Sequence, residues 1–132
     1  MFAQRARQLH EVLMAVLVRV RDIRGLVLVD PDGLVLVSTL DSRALEESLG
    51  AFAAAVLPAL HRARQDFEMG PLQLGHVAAR DRQIFITPVT EDVALLAVAD
   101  SGATSATIAL HLLSLTREIL GVVTRPAEGP EA

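Results

Sequence analysis

Two short apolar runs joined by a tight turn set the strongest limit on the fold of this chain. The runs, residues 26–29 and 34–37, are rich in valine and leucine, and Asp30-Pro31-Asp32-Gly33 lies between them. Proline pre-sets φ in such a turn, aspartate bonds back to the backbone, and glycine takes a positive φ. The segment therefore predicts a β-hairpin. Neither strand alternates with polar residues, which is typical of strands covered on both faces, so we expect helices on both sides of the sheet.

Further periodic segments extend this hairpin into a mixed domain. Apolar residues spaced for one helix face predict helices over about 2–22, 42–66 and 104–120. Apolar, β-rich runs predict three more strands over about 72–79, 83–89 and 93–99, the first at an edge and the last central. The order α-β-β-α-β-β-β-α predicts an α/β domain of the α+β type, with a five-stranded antiparallel sheet sandwiched by helices. We expect one domain over 1–124 and a disordered tail over 125–132.

Composition excludes several classes of function. Among 132 residues there is no cysteine and no lysine, which removes thiol nucleophiles, thiolate metal sites, a Walker lysine and a Schiff base. The net charge of −4 and 3% aromatic content disfavour nucleic-acid binding. No secretory signal is evident, and the longest apolar stretch, 49–60, is shorter than the roughly 20 residues of a membrane helix. We therefore expect a cytoplasmic protein without membrane insertion.

No motif for catalysis or metal binding is present in the sequence. The four histidines are not at ligand spacing, and glycine-rich phosphate loops and a serine elbow are missing. Asp30 and Asp32 suit a turn better than a cation site. Arg62 and Arg64 suit the negative end of a helix, although contact with a partner is the alternative. The sequence predicts a non-enzyme with no cofactor and no metal.

The second predicted helix is apolar on more than one side. Its predicted core stripe consists of Leu45, Leu49, Phe52, Val56, Leu60, Ala63 and Phe67. The opposite side is small and mostly apolar and consists of Gly50, Ala51, Ala54, Leu57, Pro58 and His61. A helix that is apolar all round is normally buried all round, so this side predicts a protein interface. The alternative is an alanine-rich helix chosen for its propensity. Pro58 should kink or break the helix.

The predicted edge strand offers a second contact surface. Leu72 and Leu74 fall on one face of it, and His76 follows them. An edge strand must be blunted or paired. His76 and Arg80 could blunt it, or the strand could pair with its own copy to join two sheets. A homodimer is the simplest partner to predict because an isologous contact needs only one sequence.

Taken together, these segments resemble a known family. The hairpin Gly25–Ser38 with its Asp30-x-Asp32-Gly33-Leu34 turn, the alanine-rich helix, the three-strand meander and the final helix are similar to the roadblock/LC7 family, especially its bacterial, MglB-like members. The resemblance covers about residues 9–120. It implies a homodimer joined through the third strands with the second helices side by side. It also implies a regulator or platform for a small Ras-like GTPase, with no catalytic residues of its own.

Two other functions stay open. The chain could be an accessory scaffold subunit without a GTPase partner, or a small-molecule sensor. A sensor needs a cavity with convergent polar groups, and the predicted strands offer few polar residues for one.

Overall fold

The computed structural model describes residues 2–125, which form a five-stranded antiparallel sheet with helices on both faces. The strand order is β2-β1-β5-β4-β3, so β5 is central and β3 lies at an edge. The predicted order of elements and these two predicted positions are confirmed. The elements are α1 (Phe2–Arg19), β1 (Ile23–Val29), β2 (Val35–Ser38), α2 (Arg43–Asp66), β3 (Gly75–Ala78), β4 (Arg82–Pro88), β5 (Ala94–Asp100) and α3 (Ser105–Val123).

The turn between β1 and β2 forms as its residues predict. The side-chain oxygen Oδ1 of Asp30 accepts hydrogen bonds from the backbone N–H groups of Asp32 and Leu34, both at 2.9 Å. Gly33 has a φ of 89°, a conformation that glycine adopts without steric cost. The Asp30 side chain therefore has the structural role expected of aspartate in a turn.

Apolar side chains fill two layers, one on each face of the sheet. On one face α1 and α3 cover a large core that includes Leu13, Leu26 and Phe85. On the other face α2 covers a smaller core that includes Val27 and Leu96. Alternate residues of one strand thus enter different cores, and this explains why the central strands lack polar positions.

Helix α2 is rotated relative to the prediction. Its buried residues are Leu49, Gly50 and Ala53, whereas Leu45 is 56% exposed. Gly50 packs directly against Gly33, and a Cβ atom on Gly50 would overlap the Gly33 carbonyl oxygen. The prediction that Gly50 lies on the outer side is wrong, because two glycines allow the hairpin turn and the helix backbone to touch.

The ends and interior of α2 follow local rules. The hydroxyl of Ser42 caps the helix by accepting a hydrogen bond from the Leu45 N–H at 3.2 Å. The helix runs unbroken through Pro58, so the predicted break does not occur. Phe67, predicted in the core stripe, is 76% exposed, because the helix ends at Asp66 and Phe67 is its C-cap residue.

Strand β3 is shorter than the predicted strand over 72–79. The pairing of Gly75 with Ile86, continued backwards, would place Gln73 opposite Pro88. Proline has no N–H to donate to the ladder. The Gln73 carbonyl instead accepts a hydrogen bond from the Thr87 hydroxyl. Leu72 and Leu74 therefore lie in the approach to the strand and not within it.

Helix α3 is apolar enough, by length and hydropathy, to resemble a membrane span. Its buried stripe, which includes Ile108, Leu112 and Ile119, packs on the sheet as a core helix does. The described residues end at Arg125, whose carbonyl accepts a hydrogen bond from the Arg5 side chain. The rest of the predicted tail, residues 126–132, lies outside the described residues.

Two glycine-to-alanine changes should have opposite effects on stability. Gly50→Ala should lower the free energy of unfolding by roughly 3 kcal/mol, because its methyl group meets the Gly33 backbone. Gly121→Ala, on an open surface of α3, should raise it by up to about 1 kcal/mol through helix propensity. Urea unfolding of both variants measures the two changes in the free energy of unfolding. Equal changes would contradict the contact between Gly50 and Gly33.

Candidate functional site

A half-covered apolar surface lies between α2 and the edge of the sheet. We call it the α2–β3 cleft, and it is lined by Phe52, Val56, Leu60, Gly75, His76, Val77, Ile84 and Ile86. Val77 is 50% exposed, and Leu45 extends the exposed apolar flank along α2. Because α2 packs over β1, β2 and β5, the sheet face beside β3 is left partly open. This is the flank of α2 that the sequence pattern assigned to the core.

The backbone of β3 adds unpaired polar groups to the same region. Within the described residues β3 pairs only with β4. The Ala79 N–H donates to the Arg82 carbonyl. Because pairing alternates along an antiparallel strand, His76 and Ala78 direct their backbone groups to the open edge. An open edge with an apolar flank favours pairing with another strand.

A buried glutamine fixes the position of this edge. Gln83 is 3% exposed, and its amide nitrogen donates to the carbonyls of Asp100 and Ala103 at 2.9 and 3.0 Å. Its oxygen accepts from the Ser105 hydroxyl at 2.8 Å and contacts His76 Nε2 at 2.7 Å. Because both amide hydrogens point to carbonyls, the glutamine oxygen is the acceptor and His76 Nε2 is the donor.

The His76 ring is also held by stacking. It lies parallel to the Phe85 ring, with centroids 4.4 Å apart and an interplanar angle of 11°. The side chain of His76 thereby ties the edge strand to β4 and, through Gln83, to the start of α3. Sequence reasoning singled out His76 but missed Gln83, because a lone glutamine in a strand carries no motif.

The structure separates the nine predicted interface residues into different surroundings. Gly50 is buried by the hairpin turn, and Leu57 packs against the smaller core. Leu74 packs against the larger core. The other six differ in surroundings: Ala51 is exposed, Ala54 is half-buried, Pro58, His61 and Leu72 line a separate cavity, and His76 lies at the sheet edge. Of the predicted set, only His76 lines the α2–β3 cleft.

That separate cavity has a volume of about 460 Å³. It lies at the end of the sheet where the β1–β2 and β4–β5 turns are found. Arg64, Thr90 and Glu91 contribute polar groups to it. Sequence patterns did not predict this cavity, because its polar residues come from α2 and a turn and not from the strands. We refer to it as the proline-walled cavity, after Pro31, Pro58, Pro71 and Pro88 in its lining.

Two arginines pair with Asp100 at the end of β5. Arg24 Nε lies 2.9 Å from Asp100 Oδ1, and Arg82 lies 3.7 Å from the same oxygen. The hydrogen bond from Arg24 lowers the pKa of Asp100, and the charges of both arginines act in the same direction. Among residues 2–125 no three His, Asp or Glu side chains form a group able to hold a metal ion.

Comparison with known proteins gives a consistent result. The Roadblock/LC7 domain family matches residues 9–99. No curated protein sequence matches the chain. The structure is similar to MglB of Myxococcus xanthus, with 13% identity, a TM-score of 0.81 and coverage of 95% of this chain and 94% of that one.

Two further solved structures have the same fold. A Roadblock/LC7 domain from Streptomyces avermitilis has 17% identity and a TM-score of 0.80, covering 88% of this chain and 98% of that one. An MglB structure with a tetrameric arrangement has 18% identity and a TM-score of 0.77, covering 89% of each chain. At these identities the similarity establishes the fold.

Removing the buried glutamine should loosen the sheet edge. Gln83→Leu should lower the free energy of unfolding by roughly 3 kcal/mol, because two backbone carbonyls lose their donors. Gln73→Leu, at an exposed glutamine, is the control and should change stability by less than about 0.5 kcal/mol. Urea unfolding measures both, and faster amide exchange at Val77 in Gln83→Leu alone would locate the effect at β3. Unchanged exchange there would contradict the role of Gln83.

Proposed function

The chain belongs to the roadblock/LC7 family, and we propose that it is a homodimeric, non-catalytic regulator or platform that binds a small Ras-like GTPase. One observation supports the dimer: the apolar flank of α2 and the open edge of β3 lie side by side on one surface. A partner that pairs with the edge also covers the flank.

Antiparallel pairing of two β3 strands about a two-fold axis would satisfy both features at once. The outward backbone groups of His76 and Ala78 would find partners in the second copy. The sheet would continue across the dimer, and the two α2 helices would approach each other on the same face. Phe52, Val56 and Val77 would then be removed from water, which is favourable in proportion to the apolar area buried.

The proposed dimer surface differs from the one that the sequence predicts. The small residues Gly50 and Ala54 face the hairpin turn, whereas Phe52 and Val56 face the cleft. The alanines Ala51, Ala55 and Ala59 on the outer side of α2 are exposed and leave room for a close approach of helices. The proposed contact therefore involves the same helix and strand as the sequence predicts, but a different flank of α2.

The GTPase partner follows from the family resemblance. A domain of this kind supplies a surface and not reacting groups, so any effect on GTP hydrolysis comes from reshaping or holding the partner. A similar MglB structure has a tetrameric arrangement, which supports self-assembly of this chain. An isologous dimer presents two copies of each surface, which suits a platform function.

Glutamate in the cleft should break the dimer. Wild-type protein should have twice the mass of one chain by light scattering at micromolar concentration. Val56→Glu and Val77→Glu should be monomeric, because each would bury a carboxylate next to its symmetric copy. Val18→Glu is the control, since Val18 is 76% exposed on α1 and should leave the mass unchanged. A monomeric wild type would refute the dimer.

The GTPase role is tested separately. Purified small Ras-like GTPases from the same genome, loaded with GDP or a GTP analogue, are measured for binding by biolayer interferometry. We expect the wild type to bind one of them with at least about tenfold preference for one nucleotide state, and to hydrolyse no GTP alone. A dimeric wild type that binds none in either state would contradict the GTPase role and leave the dimer intact.

A further inference from the structure

The proline-walled cavity lies mostly on a different flank of α2 from the α2–β3 cleft. Leu57 and His61 of the cavity are each five residues beyond Phe52 and Val56 of the cleft. Five residues correspond to about 140° around a helix axis. The cavity and the cleft are therefore two different surfaces of α2. Its volume of about 460 Å³ lies in the range typical of small-molecule sites.

Four prolines lie in the walls of this cavity. Pro31 belongs to the first hairpin turn, Pro58 to α2, Pro71 to the segment before β3, and Pro88 to the end of β4. Each proline fixes its own φ, so four separate elements meet the cavity with restricted backbones. Pro58 disfavours the helix by about 3 kcal/mol relative to alanine, yet its ring forms part of the wall.

The cavity combines an apolar lining with one cation and one anion. Leu57, Leu72 and Val93 supply apolar surface, Arg64 projects from α2, and Glu91 projects from the β4–β5 turn. Among residues 2–125, Arg64 has no carboxylate within 4 Å, and its guanidinium makes only a long 3.4 Å hydrogen bond to the Gly70 carbonyl. Glu91 likewise has no cation within 4 Å in that part of the chain. The two opposite charges face one cavity without pairing with each other.

We propose that this cavity binds a small zwitterion with an apolar body, of the size of a dipeptide of apolar residues. The carboxylate of the ligand pairs with the Arg64 guanidinium, and its ammonium group pairs with the Glu91 carboxylate. Its side chains contact the leucine, valine and proline surfaces. Charge-assisted hydrogen bonds at both ends supply orientation, and the apolar walls supply most of the buried area.

The charge pattern decides between ligand classes. A simple anion would satisfy Arg64 but would lie in the same cavity as the unpaired Glu91 carboxylate. A simple cation would pair with Glu91 but would lie in the same cavity as the unpaired Arg64 guanidinium. A neutral apolar molecule would leave both charges as they are in the free protein. Only a ligand that carries both charges gains from both groups.

Four forms of one dipeptide test the proposal. Leucyl-phenylalanine is compared with its N-acetyl form, its C-terminal amide and the doubly blocked form, by calorimetry and by NMR shifts of the Leu57, Leu72 and Val93 methyl groups. We expect the free dipeptide to shift these methyl groups and to bind about tenfold or more tightly than either singly blocked form. The doubly blocked form should bind most weakly.

Matched variants assign each end of the ligand. Arg64→Gln should abolish the preference for the free carboxylate, and Glu91→Gln should abolish the preference for the free amine. Arg62→Gln and Asp92→Asn change neighbouring charges that do not line the cavity and should behave as wild type. Equal binding of all four dipeptide forms, absence of methyl shifts, or equal losses in the control variants would overturn the proposal. Thermal unfolding of each variant confirms that the comparison is made on folded protein.

Discussion

The contact between Gly33 and Gly50 fixes the arrangement on which the rest of this structure depends. Neither residue has a side chain, so the hairpin turn and the α2 backbone touch, and a methyl group on Gly50 would meet the Gly33 carbonyl. This contact holds one flank of α2 against the turn and determines the rotation of the whole helix. Leu49 and Ala53 consequently face the sheet, while Phe52 and Val56 are left half-covered beside β3. A single close approach of two backbones therefore decides which apolar surface the domain offers to a partner.

The same rotation divides α2 between two possible roles. One flank, with Phe52 and Val56, borders the open edge of β3, where the Gln83 network and the stacked His76 ring hold the strand in place. The other flank, with His61 and Arg64, forms part of the proline-walled cavity. Because both surfaces include residues of α2, a ligand in the cavity could bias a partner contact through this helix. That coupling would require two arrangements of α2 with different affinity for the ligand.

Pattern and turn chemistry were sufficient to predict the architecture. The Asp30-to-Gly33 turn, the apolar strands without alternation and the spacing in α1 and α3 each depend on local rules, and each is confirmed. The errors occurred where a local pattern had more than one solution. For α2 the larger residues were assigned to the core because hydrophobicity usually decides burial, but a glycine contact moved the buried centre toward smaller residues. For β3 the apolar run extended past the point where Pro88 could supply a donor.

The sequence by itself determined the order of elements, the antiparallel sheet between helices and the absence of lysine and cysteine chemistry, because these depend on residue type and short-range spacing. Tertiary structure alone decided the rotation of α2, the fully satisfied bonding of Gln83 and the meeting of Arg64 and Glu91 at one cavity. These features join residues far apart in the chain. Their geometry arises from how helices and turns pack, and periodicity within any one segment carries no information about it.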